Sequence, residues 1–247
     1  MSKKDLRIVV FCLSLEIQKP LKAFEYYKPD RVYMLGMTKG KTFADFKVEI
    51  EKQMPDFFEY IYMETTVYKF TPCLNELLKI LRQEREYGNH VYIDITGPPS
   101  YSAAAMVAAM MEEATPFFSG TKEYTVSEKA YYDGDTPVGL SKEVYNPLEL
   151  PTFALKRPED NLVRGLAIWK EIHDKGGLMT DTRIIKALGE EGLMEDIYDD
   201  RDRVTQNAKM KYRRGFLDKW IEKGWVQSVG RGKYEITEYG EVAVEVF

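Results

Sequence analysis

A chain of 247 residues, 44% apolar and 30% charged, is too apolar for a disordered protein. It is long enough for one large domain or two modest ones, each able to bury a core without disulfides. Its 35 basic and 40 acidic side chains sum to −5, which excludes a uniformly basic coat for nucleic acid but not a local basic patch.

Cys12 and Cys73 form neither a CxxC pair nor a secreted framework and read as free thiols of a reducing cytosol. With His90 and His173 as the two histidines, no metal site is expected. The apolar stretch before Glu16 is too short to cross a membrane and no small-residue cleavage site follows it, so a cytoplasmic protein with no membrane partner is expected.

Residues 6–13 (LRIVVFCL) form an unbroken apolar run, as a strand covered on both faces requires. A helix is predicted over 17–28, with Pro20 near its first turn, then a second strand over 31–36 (RVYMLG). The spacing of Phe43, Phe46 and Ile50 predicts a helix over 42–53, followed by a third strand over 59–67. Thr71-Pro72 reads as a cap followed by proline at the first helical position, opening a helix over 71–87. A fourth strand over 90–96 (HVYIDIT) precedes 100–113 (SYSAAAMVAAMMEE), a small-residue helix that should lie close against a sheet. Further strands are predicted over 115–119 and 123–132. This alternation predicts an α/β fold with a doubly wound, mainly parallel sheet.

Residues 145–160 carry three prolines and no period. The predicted domains are therefore 1–145 and 161–247, joined by a linker over 146–160. The second domain shows helices over 162–175, 181–189 and 203–224, then strands over 225–229 and 233–237 around Gly230-Arg231-Gly232. Three helices and a glycine-tipped ribbon are the pattern of a winged helix-turn-helix. Residues 203–233 carry nine basic and two acidic side chains, whereas 190–202 carry seven acidic ones and one Arg.

At about 100° per residue, Arg203, Gln206, Asn207, Met210, Arg213 and Arg214 share a sector roughly 120° wide, with Val204, Ala208 and Tyr212 opposite. The apolar stripe then moves to Phe216, Leu217, Trp220 and Ile221, which predicts a bend or slip at Gly215. Gln206 and Asn207 suit base edges, and Lys209, Arg213 and Arg214 suit phosphates. Arg231 and Lys233 sit where a wing would touch the duplex. The plainer alternative is a solvated charged face, and the acidic stretch would repel phosphate if it lay beside this helix.

No GxGxxG follows the first strand, so a dinucleotide site is not supported. Residues 36–42 (GMTKGKT) fall one residue short of a phosphate loop and read more plainly as an exposed Lys-rich loop. The informative stretch is Thr96-Gly97-Pro98-Pro99-Ser100-Tyr101, between the fourth strand and the Ala-rich helix. Ligands in open α/β sheets bind at the carboxyl ends of strands, beside helix N-termini. Pro98 and Pro99 remove two backbone donors there. The loop after the first strand, Leu13-Ser14-Leu15-Glu16, should end on the same edge and form one shallow site with it. A helix cap and a turn are the ordinary alternative.

A first-strand loop, a D-x-T-G loop at 94–97, a small-residue helix, a proline-containing linker and a winged helix closing on YEITEYG (234–240) together resemble the CARF regulators. These are archaeal, CRISPR-associated Rossmann-fold proteins with a DNA-binding tail. The resemblance implies a homodimer whose halves form a two-fold pocket for a cyclic oligoadenylate effector, with no other cofactor. It also implies a transcription regulator whose paired winged helices bind DNA under ligand control. The family's ligand loops then fall on 13–16 and 96–101. The family commonly has T-G-G-[TN]-[KR] in the second loop, where this chain has T-G-P-P-S-Y with no basic residue.

Two alternatives stand beside that regulator. One is a metal-independent ring nuclease, in which the ligand's 2′-OH attacks the adjacent phosphate. Ser14, Ser100 or Tyr101 would then position the ring, and Lys39 or Lys41 would reach over it. The other is an interaction scaffold whose winged helix binds protein. No catalytic residue is assigned.

Overall fold

The apolar run near the N-terminus becomes the middle of a sheet. In the computed structural model, which describes residues 5–55, 58–125, 131–155, 158–176, 179–230 and 232–247, the chain divides into two units, Met1–Lys156 and Arg157–Phe247. The first unit runs β1 (Arg7–Cys12), α1 (Gln18–Tyr27), β2 (Arg31–Gly36), α2 (Lys41–Gln53), β3 (Glu59–Glu64), α3 (Phe70–Glu86), β4 (His90–Asp94) and α4 (Pro99–Glu112). It continues with β5 (Thr115–Phe118), β6 (Thr121–Tyr124), β7 (Tyr132–Asp133), β8 (Thr136–Pro137), β9 (Ser141–Val144) and β10 (Leu148–Glu149).

The sheet order is β10-β5-β4-β1-β2-β3, parallel throughout except for β10, which pairs antiparallel to β5. This is a mixed α/β, Rossmann-like sheet. β1 pairs with β2 on one side and β4 on the other, so Ile8 to Cys12 are all buried. Val9, Phe11, Val32 and Met34 share one core cluster with Ala23, Phe24 and Tyr27 of α1 and Phe46 and Ile50 of α2. On the opposite face, Tyr33 donates its hydroxyl to Glu84 of α3 at 2.6 Å, and Arg31 pairs with the same carboxylate.

Several boundaries differ from expectation. The third strand ends at Glu64, not 67. α3 begins at Phe70 with Lys69 at its N-cap, so Thr71-Pro72 lies inside the first turn. Proline is tolerated there because first-turn amides have no intrahelical acceptor. The strand expected over 123–132 is two separate pieces, β6 and β7, and residues 126–130 of that expectation lie outside the described residues. The proline-rich stretch also contributes β10, and Leu150 and Leu155 donate backbone bonds to Pro116 and Met110.

The second unit runs α5 (Asp160–Asp174), α6 (Asp181–Glu190), α7 (Gln206–Tyr212), a π-helical stretch (Arg213–Leu217), α8 (Asp218–Glu222), β11 (Val226–Gly230), β12 (Lys233–Ile236) and α9 (Glu238–Val246). Its core gathers Leu162, Leu166 and Trp169 of α5, Ile184, Ile185 and Leu188 of α6, and Ala208, Tyr212, Phe216, Leu217 and Trp220. The Trp220 indole donates to the Leu162 carbonyl at 2.9 Å, which satisfies its one polar atom in the core. β11 and β12 pair antiparallel. No helix among the described residues is long and apolar enough to cross a membrane.

Candidate ligand pocket and basic face

Chain order places the pocket. From β1 the chain moves outward to β2 and β3, then returns to place β4 on the other side of β1. The loops leaving β1 and β4 therefore diverge, and the crevice between them is the switch point at which α/β sheets bind ligands. A cavity of about 290 Å³ lies there. Ser14, Leu15 and Glu16 line it from the first loop, and Thr96, Gly97 and Pro98 from the second. Lys19, Phe43, Tyr68 and Leu140 complete it, and the sequence reading named none of them as pocket residues.

The remaining loop residues face elsewhere. Leu13 extends β1 into the core: it is buried, and its amide donates to the Leu35 carbonyl at 2.7 Å. Ser100 donates its hydroxyl to the Tyr68 carbonyl at 3.1 Å, tying the start of α4 to the connection between β3 and α3. Tyr101 is fully buried, so it offers no face for stacking a base. Tyr68, 53% exposed, and Phe43 are the aromatic side chains on the pocket wall.

Gly97 is held small by the residues packed beneath it. A Cβ there would lie 2.7 Å from the Tyr101 ring and 3.3 Å from the Cys12 Cβ. The loop is thus pressed onto the residues beneath it, and a larger side chain would lift it.

The second loop has its donors turned inward. Thr96 gives both its amide (2.8 Å) and its hydroxyl to Asp94 Oδ1. The Gly97 amide reaches Ser102 Oγ at 3.3 Å, and Pro98 and Pro99 have no N–H. Asp94 is buried, and burial pushes its pKa up to about 7 against the lowering effect of the two Thr96 bonds and Lys19. Burial likewise pushes the Cys12 thiol and the Tyr101 phenol up.

Glu16 is committed to the fold. Its carboxylate accepts from Ser141 N (3.1 Å) and Ser141 Oγ (3.0 Å), and Lys19 Nζ lies 2.7 Å away. The segment carrying Ser141 crosses close to the first loop. Gly139 has φ +84° and a Cβ there would stand 3.0 Å from the Ile17 amide, so only glycine fits. Leu140 N donates to Leu15 O at 2.9 Å, which brings Leu140 to the pocket wall. Sequence spacing gave one signal for this arrangement, Glu16 and Lys19 three residues apart at a helix start. Nothing local pointed to Ser141, 125 residues away.

In the second unit, Gln206, Asn207, Met210, Arg213 and Arg214 are exposed together, while Ala208 and Tyr212 are buried. The slip expected at Gly215 is the π-helical stretch, which widens the turn. It lets two adjacent arginines stay outside while the next apolar pair, Phe216 and Leu217, stays inside. Lys209 is half-buried, and Lys233 is exposed on β12. Arg231 lies outside the described residues.

Arg203 is engaged within its own unit. Its Nε and Nη2 donate to Asp199 Oδ2 at 3.1 and 3.0 Å, and its amide donates to Asp199 Oδ1 at 2.9 Å. The Tyr198–Val204 bridge closes the same turn, so the acidic stretch is anchored immediately before α7. These bonds hold the Asp199 carboxyl below the usual carboxylate range.

A family model described as HFX_2341_N:-like, N-terminal, matches residues 7–129, just under half of the chain. No curated protein matches. Among solved structures, the chain is similar to Can2 from Sulfobacillus thermosulfidooxidans in complex with cyclic tetra-adenylate, at 13% identity and TM-score 0.39, over 88% of this chain and 66% of that one. It is similar to protein VC1899 from Vibrio cholerae at 9% identity and TM-score 0.38, over 96% of this chain and 64% of that one. A type III CRISPR defence DNA nuclease activated by cyclic oligoadenylate aligns at 12% identity and TM-score 0.41, over 95% of this chain and 38% of that one. The chain thus spans about two thirds of the first two and less than two fifths of the third.

Proposed function

We propose that the chain is a ligand-responsive DNA-binding regulator whose first unit senses a cyclic oligoadenylate and whose second unit is a winged helix. The observation that carries the reading is that the loops after β1 and β4, far apart in sequence, line one cavity at the switch point of the sheet. A cavity of about 290 Å³ sits at the small end of sites for single drug-sized ligands, roughly 300–1,000 Å³. A ring of four or more nucleotides needs more wall than that, which supports a homodimer joining two half-pockets. The exposed Gln206, Asn207, Arg213 and Arg214 supply a face with base-reading and phosphate-holding groups.

The test is a calorimetric titration of the whole protein with cyclic tetra- and hexa-adenylate, with light scattering on the same samples. A dimer that binds one ring per two chains is expected. A micromolar monomer, or no heat with either ring, overturns the sensing half. DNA retention across a salt series tests the other half, because counterion release makes a true binder weaken steeply.

One observation favours a second reading, cleavage of the ring. Lys19 places a cation in the pocket that the two loops themselves lack, and charge stabilisation is what 2′-OH attack on phosphate requires. Ring opening on prolonged incubation would put that reading first.

A further inference from the structure

The pocket's charge comes from outside the two loops that define it. Among its described lining residues, Lys19 carries the only positive charge and Glu16 the only negative one. The groups that made the second loop look like an anion cradle are spent elsewhere. Thr96 gives both donors to Asp94, the Gly97 amide faces Ser102, and the next two residues are prolines. Among the lining side chains an anion finds Lys19 as the one cation, with the neutral hydroxyls of Ser14 and Tyr68.

Lys19 is held for that task. Its side chain is 13% exposed, beside a Glu16 side chain that is 11% exposed, with Nζ 2.7 Å from Glu16 Oε1. Two bonds from Ser141 fix the same carboxylate, so it cannot turn to follow the ammonium or a ligand. An ammonium has three N–H donors, and Glu16 takes one. A half-buried, pre-oriented cation loses little side-chain freedom on binding.

We propose that Lys19 is the phosphate-recognising residue of this pocket, and that Glu16, braced by Ser141, is the positioning residue that holds it at the wall. The inference rests on the pocket reading above and adds the residue that meets the ligand's charge.

The experiment compares wild type, Lys19→Ala, Lys19→Arg and Glu16→Ala as full-length protein, each checked by thermal melting. Cyclic tetra-adenylate is titrated by calorimetry at two salt concentrations. Inorganic pyrophosphate is followed in parallel by phosphorus NMR line broadening. Lys19→Ala should weaken ring binding by roughly 10- to 100-fold, as loss of a charge-assisted hydrogen bond does. It should also flatten the salt dependence, and Lys19→Arg should restore most of both. Glu16→Ala should weaken binding several-fold although it removes a negative charge. A gain in affinity would mean that Glu16 merely repels the ligand, and would overturn its positioning role.

If Lys19→Ala binds the ring like wild type, the proposal falls and the pocket reading stands. If wild type ignores the ring but broadens pyrophosphate in a Lys19-dependent way, the ring reading falls and the proposal stands. If wild type binds neither, both fall. Should Lys19→Ala melt early, the contrast between Lys19→Arg and Lys19→Met decides on the same criteria.

Discussion

An ionised carboxylate at the buried end of a central strand works against folding. Asp94 is that group: its pKa rises from 3.8 to about 7, chiefly by burial, with Glu16 adding to the rise and Thr96 and Lys19 opposing it. The folded state therefore binds the proton more tightly than the unfolded chain does. Its contribution to stability is full below pH 4 and is lost as pH rises toward 7, at about 1.4 kcal/mol for each pH unit. Asp94→Asn keeps an oxygen that can accept from Thr96 and removes the titration. Urea unfolding at pH 4.5 and 7.5 should show the wild-type protein losing stability relative to this variant over that interval. An unchanged difference between the two proteins would show that Asp94 is ionised in the folded state throughout. At this scale the sequence was a fair guide to which loops matter and a poor one to which side chains face the pocket. Tyr101 and Leu13 carry suitable chemistry but are used beneath the loops, and Tyr68 and Lys19 reach the site from neighbouring elements.

Helix α7 and the π-helical stretch after it divide the basic residues into two kinds. Arg213 and Arg214 project from a turn whose widening keeps both exposed, although Arg213 comes within 3.6 Å of Asp218. Arg203 closes a turn through Asp199 and serves the fold. Replacing Arg213 and Arg214 together with Ala should weaken DNA retention at every sequence and lower the salt slope by about 2, one for each lost phosphate contact. Replacing Arg203 with Ala should leave the slope nearly unchanged and lower the melting temperature. Equal retention by the double variant and wild type would remove this face from DNA binding. The slip near Gly215 was legible because apolar periodicity changes phase there. The excursion over β6 to β9 was not: its strands are two to four residues long, below the length at which a period can be recognised.

Across the whole molecule, each unit has its own core, one built on the sheet and one around Trp169 and Trp220. Separate cores joined by a proline-rich stretch favour separate unfolding. Scanning calorimetry should resolve two transitions, and saturating ring ligand should raise only that of the sheet unit, by mass action on the state that binds. One cooperative transition shifted as a whole would instead show that the units unfold together. The sheet was readable at this scale because strand–helix alternation fixes strand direction and the carboxyl edge. Pocket closure was not, because it depends on a contact between Glu16 and Ser141 that no local pattern encodes.

Strand order also has a consequence during synthesis. β1 gains its second neighbour only when β4 is made, on the order of 80 residues later, which at roughly 5–20 residues per second is a wait of about 4–16 s. During that time the sequence RIVVFC has one side open to any other extended chain, and it has the apolar, β-branched character that promotes mispairing. The charges at Lys3, Lys4 and Asp5, directly before the run, are of the kind that discourage such pairing. The topology that opens a binding crevice in the finished protein thus leaves its nascent form with a sticky edge, guarded by three charged residues until His90–Asp94 arrives to cover it.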